Sequence, residues 1–309
     1  MITMIEEHVL RWIERAVHPE AKIKSIERLM GGVSTPIHRV IIDVRGEAHR
    51  LVLRQYTDEE WLESEPDLAK HEAESLRKAS GAADIDAPNV VAYDETGNEC
   101  GLPTLLMTHL DGRVVLEPED VRAWTDRMAR TLTQLHVCAS TEGFPWTYGA
   151  YSDAAKFDAS SWTSVPDRWK RAIEILLGPR PAFVPRFIHR DYHPTNLLWV
   201  DGEVSGVVDW VNGCIGPAGI DVGHCRVNLA QLHGVEAADA FLDSYRRYAG
   251  DNFDYNPYWD LATLVDYAFG EPEVYQGWID LGFAKLTNEL VMERLDAYLE
   301  SVLAREYEI

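Results

Sequence analysis

The stretch from residue 187 to residue 210, FIHRDYHPTNLLWVDGEVSGVVDW, constrains this chain more than any other. Asp201-Gly202 sits between two apolar and β-branched runs, residues 197–200 and 204–208, and such a pair between such runs predicts a β-hairpin. The hairpin brings Asn196, at the start of its first strand, close to Asp209, at the end of its second. Asp191 lies just upstream, in the loop that opens with His189-Arg190.

Three oxygen-bearing side chains therefore converge, and phosphoryl transfer needs that set. One carboxylate orients or accepts the proton of an attacking hydroxyl. An amide oxygen and a second carboxylate hold magnesium against nucleotide phosphates, because hard cations take oxygen ligands. The His-Arg-Asp-x-x-x-x-Asn spacing followed by a further Asp is a kinase catalytic-loop pattern. Two other readings compete. A surface hairpin with polar ends needs no chemistry. A zinc site on His189, Asp191 and His193 follows from their alternation on an extended segment, but leaves Asn196 and Asp209 unused, and Pro194 bends the chain where a strand would continue.

At these residues the chain resembles the aminoglycoside phosphotransferase family, small-molecule kinases with a protein-kinase-like fold. HRDYHPTN is similar to that family's loop, with the His193-Pro194 pair of the small-molecule kinases, and Asp209-Trp210 stands where protein kinases have Asp-Phe-Gly. The resemblance covers nearly the whole chain. It implies an α+β, bilobal protein-kinase-like fold: an N-terminal nucleotide-binding lobe, residues 1–110, with a five-stranded antiparallel sheet and helices, and a mainly helical C-terminal catalytic and substrate-binding lobe, residues 111–309. It implies ATP or GTP with Mg2+, Asp191 as the catalytic residue, His189 supporting its loop, and Asn196 and Asp209 as metal ligands. Arg54 stands where kinases place the phosphate-binding lysine, and Glu72 resembles the helix glutamate that pairs with it; Glu74 is the competing choice, and family position favours Glu72. Residues 107–112 resemble the hinge between lobes, so Thr108 and Leu110 would present backbone to the adenine. Asp221 resembles a later aspartate that braces the catalytic loop, with a helix N-cap as its other reading.

Composition narrows the rest. With 46% hydrophobic residues, 309 residues can bury a large core. The net charge of −22 argues against nucleic-acid binding, which needs lysine and arginine on phosphates, and suits a cationic acceptor such as an aminoglycoside as well as plain solubility. Macrolides, choline-like alcohols, amino-acid hydroxyls and sugars stay open as acceptors, as does a non-catalytic nucleotide-binding protein. A protein kinase is disfavoured by Asp-Trp in place of Asp-Phe-Gly and by the lack of a downstream Ala-Pro-Glu. Four scattered cysteines read as reduced thiols, and the acid-containing N-terminal segment as no secretory signal; no apolar run is long enough for a membrane span. These features point to a cytoplasmic protein, the resemblance implies a small-molecule hydroxyl as acceptor, and monomer and homodimer both stay open.

Along the chain, periodicity predicts a helix over 5–17, strands over 22–30, 37–44 and 49–56, a helix over 65–79, and strands over 88–93 and 104–110. The turn at residues 31–35 can lay backbone N–H groups on phosphates, with Gly32 and Ser34 as binding candidates, or is a plain hairpin turn. Helices follow over 121–139 and 167–177. Residues 140–165 read as an insertion or substrate-side loop, and 213–219, GCIGPAG, as a flexible glycine-rich loop. Helices then run over 222–232, 235–248, 258–269 and 284–303. Residues 270–282 mix acids with Tyr275 and Trp278, a pocket for a cationic or sugar-like molecule on one reading and a solvated loop with one buried Trp on the preferred one.

Overall fold

Hydrophobic spacing shapes the first layer. Val9, Trp12 and Ile13 recur at helical intervals and form the buried face of α1 (Glu7–Val17). The structure, a computed structural model, describes residues 5–29, 35–82, 86–159 and 161–305. The phosphate-turn candidates Gly32 and Ser34 lie outside the described residues. Strands β1 (Ala21–Arg28), β2 (Ile37–Val44) and β3 (Glu47–Gln55) follow. In β2 every second side chain, His38, Val40 and Ile42, is buried, the pattern of a strand with one face on the core.

The helix expected over 65–79 forms with its start three residues later and its end one residue later. The chain makes α2 (Glu59–Ser64), capped by Asp58, and then α3 (Leu68–Ser80). Pro66 explains the break: a residue before proline is driven out of the helical region, and Glu65 sits at φ −134°, ψ 80°. Strands β4 (Val90–Asp94) and β5 (Thr104–Thr108) complete an antiparallel sheet in the order β1-β2-β3-β5-β4. Leu106 of β5 joins the α1 side of the sheet, whereas Leu105 and Met107 face the core that α3 shares.

The rest is mainly helical: α4 (Val121–Cys138) and α5 (Pro166–Leu176) precede the short strands β6 (Pro185–Ile188), β7 (Leu197–Val200), β8 (Glu203–Val207) and β9 (Cys214–Pro217). Helices α6 (Ala218–His233), α7 (Val235–Ala249), α8 (Pro257–Tyr267), α9 (Gln276–Asp280) and α10 (Asn288–Ala304) close the fold. β7 and β8 form the expected hairpin, with Asp201 and Gly202 both at positive φ. Ala69, Ala73 and Leu76 of α3 share one apolar core with Met128, Phe187 and Trp210, so the sheet side and the helical side are packed together at the motif.

The flexible loop expected over 213–219 is a correction. It is strand β9, paired with β6 through Phe187–Ile215 and Ile188–Cys214, and it runs straight into α6. Its glycines serve close approach instead of mobility. A Cβ on Gly213 would stand 2.6 Å from Ser75 Oγ, and one on Gly216 would stand 2.7 Å from Tyr148 Cβ. All four cysteines are free, and no helix among the described residues is long and apolar enough to cross a membrane.

Candidate functional site

The loop between β6 and β7 carries the motif, and a buried carboxylate from α6 holds it. Asp221 Oδ2 accepts from His189 N at 2.8 Å, and its Oδ1 accepts from Arg190 N at 2.6 Å. His136 of α4 lies 3.0 Å from the same carboxylate and 2.6 Å from the Tyr245 hydroxyl of α7. Burial alone would raise the Asp221 carboxyl; the His136 contact, the nearby His189 and the His189 amide more than offset it and hold it below the ordinary range. Of its two expected roles Asp221 has the brace: the helix begins after Pro217, and Asp221 caps nothing.

Bracing lets the loop keep unusual backbone. Arg190 has φ +67°, a region costly for a residue with a Cβ. Its guanidinium lies 3.6 Å over the Tyr151 ring and donates to Gly149 O. Residues 140–165 therefore do reach the motif: Tyr148 and Ile215 are bonded through backbone, which sets this segment beside the loop.

His189 fastens the loop to the hairpin's exit. Its Nδ1 accepts from Asp191 N at 3.2 Å, so Nε2 carries the proton and donates to Val208 O at 2.9 Å. Asn196 Nδ2 donates to Asp191 O at 2.9 Å and to Asp191 Oδ2 at 3.0 Å, and Val208 N donates to Asn196 O at 3.0 Å. Asp191, Asn196 and Asp209 are thus brought together as the hairpin predicts.

Arg54 sits at the centre of the sheet side and is 1% exposed. Its Nη1 is 3.0 Å from Glu72 Oε1 and 2.6 Å from Asp209 Oδ1, and its Nε donates to Thr35 Oγ1 at 2.8 Å. Burial opposes the guanidinium's charge, but Asp209 and Glu72 outweigh it and raise its pKa further. Tyr56 donates its hydroxyl to Glu72. Glu74 points outward and pairs with Arg77 at the surface, so Glu72 is the helix carboxylate that meets Arg54.

Beside this cluster is a cleft of about 370 Å3. Val52, Leu198 and Val208 make apolar walls, Thr108 and Leu110 lie along one side, and Arg54, Glu72, Asn196 and Asp209 supply its charged and polar groups. A wider hollow of about 700 Å3 lies between α4 and α7, but its charges pair with one another at the surface, Arg247 with Asp126 and Arg127 with Glu203.

The other side of Asp191 holds His224 and Tyr267, which pattern reading missed, beside His193. His224 Nε2 of α6 lies 2.9 Å from Asp191 Oδ1 and 2.9 Å from the Tyr267 hydroxyl of α8, which takes a further bond from Asn228 at 2.7 Å. His193 Nε2 stands 3.6 Å from the same Oδ1. Burial would raise the Asp191 carboxyl, and the histidines His193, His224 and His189 around it hold it well below the usual range. Burial pushes His193 down to about 4. One signal could have found His224: it follows Asp221 by three residues, so the two share a helix face. The zinc trio expected from alternation does not assemble, because the His189 ring is spent on Val208 and Asp191 N. In residues 270–282, Glu271, Glu273 and Asp280 are exposed and Trp278 is fully buried, as the solvated-loop reading expects; Tyr275 approaches with its ring 6.3 Å from that of His193, and Leu281 lines the cleft.

The family model for the phosphotransferase enzyme family matches residues 25–260. No curated protein matches the sequence. Among solved structures, a thermostable mutant of the aminoglycoside phosphotransferase APH(4)-Ia is 16% identical, with 96% of this chain and 99% of that chain covered at a TM-score of 0.60. Aminoglycoside-3′-phosphotransferase of type VIII is 21% identical, covering 85% and 100% of the two chains at 0.57. Macrolide 2′-phosphotransferase MphH from Brachybacterium faecium is 15% identical, covering 95% and 98% at 0.59. At these identities the likeness is one of fold.

Proposed function

Because the chain belongs to the phosphotransferase enzyme family, we propose that it transfers the γ-phosphoryl group of ATP or GTP to a hydroxyl of a small molecule. One observation carries this reading: Asn196, Asp209 and the Arg54–Glu72 pair line one apolar cleft, and Asp191 is hydrogen-bonded to Asn196. On this reading residues 1–110 are the nucleotide-binding lobe and residues 111–309 the catalytic and acceptor-binding lobe. Thr108 and Leu110 present main chain to the base.

Asp191, kept ionised by the histidines around it, accepts the hydrogen bond of the acceptor hydroxyl and aims its oxygen at the phosphorus. A base this weak suits a loose transition state, in which positioning outweighs early deprotonation. Asn196 fixes the carboxylate through its Nδ2, and His189 fixes the backbone of the same residue. Arg54 brings a permanent charge to the phosphates and is itself held by Glu72.

The donor set fits magnesium. Asn196 spends its amide nitrogen on Asp191 and keeps its oxygen, and Asp209 keeps one carboxylate oxygen beyond the one facing Arg54, so both offer hard oxygen donors. When bound there, the ion would offset phosphate charge in the transition state.

For the acceptor, a cationic molecule such as an aminoglycoside is favoured. The net charge of −22 attracts cations, and one APH(4)-Ia structure is a ternary complex with ADP and hygromycin B. The test is nucleotide turnover with magnesium across aminoglycosides, macrolides, choline-like alcohols, amino acids and sugars, beside Asp191→Ala. Stimulation by one class, lost in the variant, is expected; failure of the protein to bind any magnesium nucleotide would sink the reading.

A further inference from the structure

The imidazoles next to Asp191 do more than hold a carboxylate. Asp191 Oδ1, His193 Nε2 and His224 Nε2 all lie within 4.8 Å of one another, with Oδ1 2.9 Å from His224 and 3.6 Å from His193. A tetrahedral zinc ion with bonds of about 2.0–2.1 Å separates its ligand atoms by about 3.3 Å. The trio therefore needs only small side-chain shifts to close on such an ion.

His193 carries the second, independent sign. It is 95% buried on its 5% exposure, yet its Nε2 is too far from Asp191 for a hydrogen bond. Thr195 Oγ1 lies 2.8 Å from the opposite ring nitrogen, Nδ1. A hydroxyl on the far nitrogen is what fixes a metal-binding imidazole in orientation and tautomer. The Tyr267 hydroxyl, held by Asn228, lies 2.9 Å from the same His224 Nε2 and gives up that contact when the ion takes the nitrogen. The Asp191 side chain is 29% exposed, which leaves an approach for the ion and a place for a solvent ligand.

We propose that Asp191, His193 and His224 form a binding site for a zinc-like first-row transition ion, distinct from the oxygen-only magnesium pair Asn196–Asp209, and that the ion inhibits phosphoryl transfer by capping the catalytic carboxylate. Imidazole nitrogen selects this class of ion over magnesium, so the two sites sort metals by donor chemistry while standing a few residues apart. The inhibitory half rests on the role proposed above for Asp191; the binding half does not.

Cobalt(II) is the probe, added to chelator-stripped full-length protein without nucleotide. The expected result is one equivalent bound with a visible d–d spectrum, displaced by one equivalent of zinc, and X-ray absorption of the wild-type zinc form showing scattering from two imidazoles. His193→Gln and His224→Gln, checked for folding by circular dichroism, should each weaken cobalt binding at least about tenfold, whereas Asp209→Asn should not. In turnover assays with excess magnesium, micromolar zinc should suppress the wild type and lose most of that effect on His224→Gln, read as the ratio of rates with and without zinc. The proposal is overturned by the absence of a stoichiometric cobalt spectrum, or by binding that Asp209→Asn removes and both histidine variants keep. Normal cobalt binding in a protein that turns over no nucleotide would overturn only the inhibitory half.

Discussion

The two sides of Asp191 are built from different materials. Toward the sheet lie full charges in direct contact, Arg54 between Glu72 and Asp209, with the guanidinium sealed from solvent. Toward α6 and α8 lie two imidazoles, His193 and His224, beside one carboxylate that is 29% exposed, with the Tyr267 phenol behind His224. The first arrangement resists rearrangement, because removing one member of a buried ion pair strands the other. The second can change its partners at little cost. On the proposed reading, the side closed on itself meets the nucleotide phosphates and the less charged side meets the acceptor.

The sharpest division is expected from Asp191→Ala. Turnover should fall by about 10³-fold while nucleotide affinity, measured by calorimetry, changes by no more than about twofold. An equal loss of nucleotide affinity would erase the distinction between the sides. Arg54→Ala should act in the opposite sense, weakening nucleotide binding and lowering stability by about 3–5 kcal/mol in denaturant unfolding, since Glu72 would be left buried without its cation. Arg54→Lys should recover part of both.

The imidazole side should reveal itself through pH. His193 falls from its ordinary 6.5 to about 4 by burial. The unfolded chain therefore takes up a proton between those values that the native chain refuses, and stability declines as pH drops through that window and levels off below it. Melting curves with a chelator present should show this slope, and His193→Gln should flatten it. The smallest effect belongs to Glu74→Ala, at a surface pair with Arg77: stability within about 0.5 kcal/mol of wild type and unchanged nucleotide affinity. A large effect there would mean that α3 presents a different face to Arg54.

Much of the charged side was legible because its parts are local in sequence. Asp201-Gly202 sets the hairpin and so the meeting of Asn196 with the segment before Asp209. Periodicity places Arg54 on a strand and Glu72 on a helix, and the resemblance to the kinase pattern, not the period, singles out those two residues. The start of α3 lies three residues beyond the expected 65, and Pro66's effect on Glu65 accounts for the shift. The imidazole side was hidden because His224 and Tyr267 reach Asp191 through tertiary packing alone, from helices without a motif at those positions. The strand at 214–217 was hidden for a related reason: glycines selected for close packing against Ser75 and Tyr148 look like glycines selected for freedom.

The carboxylate of Asp221 has a consequence for assembly. It draws together His136, the backbone of residues 189 and 190, and its own helix, and through His136 it reaches Tyr245. These partners are spread over more than a third of the chain, so the loop that carries Asp191 can take its final form only after α4, α6 and α7 have docked. Such long-range closure belongs late in folding. The shape of the motif loop thus depends on helices far from it in sequence, and truncation before α7 should remove the Tyr245 contact that backs His136 and Asp221.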